Sequence, residues 1–185
     1  MDEERFDFEN LKVYQKALEY VPTPRLTLDE VLSQAQSSPP RKVLFWGEDA
    51  GEISSYVAGW MAGKGIEVIV LDGANRFNAY TVSSFAKRTL ISPEELLKSI
   101  RIARAFTCYQ MATLMGERLV SLIHARAVGA IHESPLPKPW VILLGPLTPF
   151  LDEDVPAREA LPLFESALGK IEGIASGGVP FFLFH

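Results

Sequence analysis

VLFWGEDAGEISSYVAGWMAGKG, residues 43–65, decides the fold. Val43 to Trp46 is an apolar run of strand length, Gly47 and Gly51 mark a turn, and the residues after them alternate as a helix does. In α/β proteins a strand, a glycine turn and a helix in this order form a natural anion site, because free N–H groups at the helix start point at the ligand. A working phosphate loop reads G-x-x-x-x-G-K-[ST], in which the lysine reaches the outer phosphates and the hydroxyl holds magnesium. Here the loop reads Gly47-Glu48-Asp49-Ala50-Gly51-Glu52-Ile53-Ser54-Ser55. The glycine spacing is one residue short, and Glu52 rather than lysine follows Gly51. Glu48, Asp49 and Glu52 place negative charge where a polyphosphate would sit, which opposes ATP.

Working outward, strands and helices alternate. KVLFW is the first strand, and the near-continuous apolar run EVIVLD suits a second, buried parallel strand. SIRIARAF, with Ile100, Ile102 and Phe106 alternating, predicts a short third strand, WVILLG a fourth and VPFFLFH a fifth. Between them, SPEELLKS opens a helix with Ser92 as cap, Pro93 at the first position and Glu95 closing a capping box. CYQMATLMGERLVSLIH predicts a helix with Met111, Leu114, Met115, Leu119, Leu122 and Ile123 inward. AREALPLFESALGKI predicts another, with Leu161, Phe164, Leu168 and Ile171 on one stripe and Pro162 in its first turns or at a break. Five strands separated by helices predict a mainly parallel sheet covered on both faces. Ahead of it, NLKVYQKALEY reads as a helix that VPTPR stops, TLDEVLSQA as a helix with a Thr27–Glu30 capping box, and QSSPP as a linker. This divides the chain into a helical segment and linker, 1–40, and an α/β core, 41–185, within one compact body.

With 185 residues and 48% hydrophobic content the chain is long enough for one domain with a real core. Its formal charge of −5 argues against a general nucleic-acid binder, and Lys87, Arg88, Arg101, Arg104 and Arg118 form only a modest basic set. Cys108 is the single cysteine, so neither an internal disulfide nor a cysteine-cluster metal site is available. The start MDEERFDFEN lacks the apolar run of a signal peptide, and no stretch approaches membrane-spanning length, so the expected location is the cytoplasm.

Ligands of such sheets bind beyond the carboxyl ends of the strands. The candidate residues are therefore Gly47, Gly51, Ser54 and Ser55 after the first strand, Asp72, Arg76 and Asn78 after the second, and Gly145 after the fourth. Each has a plainer role. Ser54 and Ser55 serve as helix residues near the cap, and DGANRFN serves as a turn in which Asp72 and Asn75 satisfy backbone groups. A dinucleotide site is the rival, with Gly47 and Gly51 in the turn and Asp72 as the ribose-binding acid; but G-x-x-x-G is not G-x-G-x-x-G, and Asp49 stands where the middle glycine belongs. Cys108, His124 and His132 have no recognised ligand spacing, and Cys108 reads as core.

TLDEVLSQAQSSPPRKVLFWGEDAGEISS, VIVLDGANRFNAYTVSSFAKR, ISPEELLKSIRIARAFTCYQM, WVILLGPLTPF and GGVPFFLFH together resemble the ATPase core of the RecA/RadA-type recombinase superfamily, including its KaiC-like relatives, over roughly residues 26–185. The resemblance implies a three-layer RecA-like P-loop NTPase core with strand order 3-2-4-5-1. It also implies where the chemistry should be. Glu52 lies nearest the place of the phosphate-loop lysine, Gly73 and Ala74 are comparable to the glutamate that orients water, and Gly145 takes the place of the magnesium-site aspartate. With phosphate grip, water activation and magnesium support all altered, the expectation is a non-catalytic relative with a degenerate Walker A loop and a regulatory or scaffolding role in a recombination or repair setting. No cofactor is expected, ATP and Mg2+ being disfavoured, and the partners expected are a second copy or another protein, with DNA a weak alternative. The alternative functions are a weak nucleotide-binding ATPase and an NAD- or nucleoside-binding enzyme. The first strand is expected to be an open sheet edge.

Overall fold

The computed structural model of the protein describes residues 27–35, 42–129, 138–152 and 154–185. The chain divides into two compact units, Met1–Gln34 and Ala35–His185. The expected helix at 10–20 and the QSSPP linker lie outside the described residues, as does most of the HESPLPKP turn. Helix α1 (Leu28–Ala35) begins as its sequence dictates. Glu30 accepts from the backbone N–H of Thr27 at 2.7 Å and from its hydroxyl at 2.9 Å, while the Thr27 hydroxyl accepts from the N–H of Glu30 at 3.3 Å. These two bonds to Thr27, backbone first, hold the Glu30 carboxyl below its ordinary pKa.

The second unit runs β1 (Lys42–Phe45), α2 (Ala50–Gly63), β2 (Val68–Asp72), α3 (Ala79–Arg88), α4 (Pro93–Lys98), β3 (Ile100–Arg104), α5 (Cys108–Thr113), a π-helical turn (Leu114–Arg118), α6 (Leu119–Gly129), β4 (Trp140–Leu144), a 3-10 turn (Thr148–Phe150), α7 (Ala157–Ser176) and β5 (Phe181–Phe184). The strands form one five-stranded sheet in the order β1-β5-β4-β2-β3, every pair parallel. Counted from the other edge this is the RecA-like order 3-2-4-5-1.

Register sorts the apolar residues onto two faces. Val70, Ile142 and Phe182 stand side by side on one, and α2 with its neighbour α3 covers them through Val57, Met61, Val82 and Ala86. Ile69, Val141 and Phe181 stand on the other, packed with Met111, Met115, Leu119, Ala160, Ala167 and Ile171. Burial on both faces explains why β2 and β4 carry no polar residue before Asp72. Phe45 stacks on Phe184 at 4.5 Å and Trp140 on Phe182 at 4.9 Å, binding the β1 side to the centre.

Several local expectations change. Residues 79–88, not assigned above, form α3, capped by Asn78, whose side chain accepts from the N–H of Tyr80 at 2.9 Å. Ser92 starts α4 ahead of Pro93 but makes no side-chain capping bond. On α7 the buried stripe is Ala160, Ala167 and Ile171, with Leu163, Phe164 and Ile174 partly buried, while Leu161 and Leu168 face outward. Both frames have helical spacing; the alanines prevail because they admit close packing against α5 and the π turn. Pro162 sits inside α7, which continues through it. Phe106 falls beyond β3 and is exposed.

Candidate functional site

The carboxyl ends of the strands are laced together by the loops that follow them. Gly47 donates its N–H to the carbonyl of His185 at 3.0 Å, Gly73 to Leu144 at 2.8 Å, and Gly145 to Phe184 at 2.7 Å. The glycine N–H groups that would face an anion in a phosphate loop thus extend the sheet ladder instead. The turn between β1 and α2 is also short, since helix begins at Ala50 and the Ala50 N–H already bonds the carbonyl of Gly47 at 3.2 Å.

The candidate side chains are equally engaged. Ser54 and Ser55, both fully buried, donate their hydroxyls to the carbonyl of Gly51 at 2.7 and 2.9 Å. The Ser55 oxygen also accepts from the N–H of Asn78 at 2.9 Å, tying α2 to the loop after β2. Asp72 is fully buried at the end of β2, where it accepts from the N–H groups of Arg76 at 3.2 Å and Phe77 at 3.0 Å and meets Arg104 Nε at 3.4 Å. Arg104 then reaches the carbonyl of Phe77 at 3.1 Å, so one carboxylate and one guanidinium fix the whole DGANRFN loop. These are the roles of an Asx-type turn and a paired buried charge.

Two glycines define the loops' closest approach. A Cβ at Gly73 would lie 2.7 Å from the carbonyl oxygen of Gly145. At Gly145, where φ is +52°, a Cβ would lie 2.5 Å from that of Ala74 and 3.0 Å from Thr148 Oγ1. Nearby, a Cβ at Gly51 would lie 2.8 Å from that of Arg76. The loops after β2 and β4 therefore touch where larger side chains would stand.

What remains at this end is a cleft of about 210 Å³ lined by Ala50, Ala74, Arg76, Gly145, Thr148 and His185, among others. Arg76 separates it from a shallow basin whose other lining residues are Glu48, Asp49, Gly51 and Glu52. Of the candidate residues, Arg76 and Gly145 line the cleft and Gly51 and Arg76 the basin; Gly47, Ser54, Ser55, Asp72 and Asn78 line neither. His185 was missed because the rule that selects residues after each strand was not carried to the fifth. Its ring lies 4.8 Å from that of Trp46, and its Nδ1 is buried without a hydrogen-bond partner. Burial, and then the Arg76 charge, hold the imidazole below its ordinary pKa. The cleft offers a guanidinium, a hydroxyl and an imidazole; the basin beside it offers three carboxylates, which repel a polyphosphate.

The other flagged residues are dispersed. Thr107 caps α5 by accepting from the N–H of Gln110 at 3.2 Å, and Tyr109 donates to Glu159 at 3.0 Å, a bond that with the carboxylate's charge raises the phenol's pKa. Arg101 pairs with Glu67 at 3.0 Å, Arg104 with Asp72, and Arg88 lies over the ring of Tyr56. Cys108 is buried in the core. Among the described residues no group of three or more His, Cys, Asp or Glu is placed to hold a metal ion, and no helix is long and apolar enough to cross a membrane. No protein-family model matches the chain, and no curated protein matches it.

Proposed function

We propose that this chain is a non-catalytic RecA-like domain that works through protein contacts, in a regulatory or scaffolding role, with recombination or repair the setting that its sequence resemblance implies. One observation carries the reading: Gly73 and Gly145, which take the places of the water-orienting glutamate and the magnesium-site aspartate, are packed where a Cβ meets neighbouring atoms at 2.7 and 2.5 Å. Backbone occupies the space in which those two carboxylates would work. Support also comes from Ser54 and Ser55, whose hydroxyls are bonded to the Gly51 carbonyl. The partner is a second copy or another protein, and the reading requires no cofactor. Purified chain supplied with magnesium and ATP is expected to release phosphate no faster than the uncatalysed background. Robust turnover that disappears when residues 47–55 are altered would overturn it.

Arg76 favours a second, lesser reading, a small-anion site. Its guanidinium borders the cleft beside the Thr148 hydroxyl. Calorimetric titration of sulfate, NAD and ATP at fixed ionic strength should rank ATP no tighter than the others, and micromolar, magnesium-dependent ATP binding would defeat this ranking.

A further inference from the structure

We infer that the free edge of β1 is where a second copy of this chain docks, strand against strand, about a two-fold axis through Leu44. The inference rests on the protein-contact reading and names its partner and surface. Among the described residues β1 pairs on one side only, with β5. Phe45 accepts from the N–H of His185 at 3.0 Å and Gly47 donates to the His185 carbonyl at 3.0 Å, so the odd-numbered residues turn their backbone groups inward. Alternation then turns those of Lys42, Leu44 and Trp46 toward the open edge.

An antiparallel copy fits this pattern when even-numbered residues oppose even-numbered ones. Centring on Leu44 uses all three. Leu44 then faces the partner's Leu44, and Lys42 faces the partner's Trp46, giving about six backbone hydrogen bonds. No lysine opposes a lysine, and each ammonium meets an indole face, a favourable contact. The side chains agree. Leu44 is 50% exposed and Trp46 58%, and on α7 Leu161 is 43% and Leu168 40% exposed. The Lys42–Glu172 ion pair pins α7 beside β1. From that pair, Leu168 lies one helical turn back along α7 and Leu44 two residues on along β1, each a shift of about 6 Å in the same direction, since α7 runs antiparallel to the strands. Leu168 therefore stands beside Leu44, and the two apolar pairs form one strip along the edge. A two-fold axis through Leu44 brings that strip against its own copy.

Cysteine cross-linking tests the register, because the native Cys108 is buried. In this pairing the Leu44 Cα atoms are about 5.5 Å apart, within disulfide reach. Leu44→Cys should oxidise to a covalent dimer. Trp46→Cys alone should not, its two copies being offset by roughly 13 Å along the strands, whereas a mixture of Lys42→Cys and Trp46→Cys chains should. Light scattering of the unmodified chain should show a concentration-dependent dimer, and Leu44→Lys, which sets like charges face to face, should weaken it about tenfold or more with the melting temperature of the monomer unchanged. A monomer at every accessible concentration overturns the proposal, as does Trp46→Cys bridging as readily as Leu44→Cys. A dimer that fails to bridge at position 44 overturns this interface and leaves the protein-contact reading standing; magnesium-dependent ATP turnover does the reverse.

Discussion

Gly145→Asp would restore, by identity, the acid that a magnesium site needs at the end of β4. It should instead damage the domain. The residue has φ of +52°, a conformation that costs a side-chain-bearing residue about 1–2 kcal/mol. Its new Cβ would start 2.5 Å from that of Ala74, and forcing such an overlap apart typically costs about 1–3 kcal/mol more. The sum, about 2–5 kcal/mol, lowers the melting temperature of a domain this size by roughly 5–15 °C. Urea unfolding followed by circular dichroism measures it. Two further variants separate the contributions. Ala74→Gly added to Gly145→Asp removes the colliding Cβ and should recover the packing share but not the left-handed share. Gly169→Ala, in α7 with nothing within 4 Å of the added carbon, should stabilise by about 0.5–1 kcal/mol. The reasoning fails if Gly145→Asp melts with the parent, or if it gains magnesium-dependent ATP binding.

Asp72→Ala strips the partner from Arg104 and frees two loop N–H groups, so it should cost about 2–4 kcal/mol in denaturant titrations; a loss below about 0.5 kcal/mol would mean that the loop holds without it. Glu52→Lys puts a lysine nearest the family's position at an exposed site, where one reversed charge changes binding by about 1 kcal/mol; calorimetry should find ATP affinity raised no more than roughly tenfold, without turnover, and the appearance of hydrolysis would contradict the account of Gly73 and Gly145. Because His185 is held below its ordinary pKa, the stability it contributes is full above the unfolded value, about 6.5, and is lost as pH falls from there through the folded value. His185→Phe should therefore flatten stability against pH below about 6.5, and an unchanged acid slope would remove His185 as its source.

The fold was legible because its signals are redundant. Two five-residue apolar strands, β2 and β4, fit only a sheet buried on both faces, and the turn at Gly47 set the first crossover. Strand order came from the family resemblance and not from periodicity. Helix α3 escaped because AYTVSSFAKR is mostly small and polar; three buried residues, Val82, Phe85 and Ala86, hold its inner face. The α7 stripe was placed one residue off because leucines outweigh alanines on any hydrophobicity scale, whereas close helix contact favours the alanines. At the site, sequence placed Gly47, Gly51, Asp72 and Gly145 correctly at strand ends. It did not show that Ser54, Ser55 and Asp72 turn inward onto backbone, since whether a polar side chain faces a ligand or its own loop depends on distances set by tertiary packing. Thr148 and His185 entered the cleft through chain geometry that no local pattern encodes.

The π turn at Leu114–Arg118 acts as a phase corrector. Cys108, Met111, Met115 and Leu119 are all buried to within 1%. In an unbroken α-helix the two four-residue steps from Met111 to Leu119 would wind the stripe about 80° around the axis, carrying Leu119 off the sheet. The wider turn takes that drift back and admits an extra residue per turn. The helix pair α5–α6 thus behaves like a screw with one thread re-cut. Its two ends are locked in angle to one another, and a single-residue deletion between Met111 and Leu119 would not simply shorten the helix but would rotate everything after it relative to the sheet.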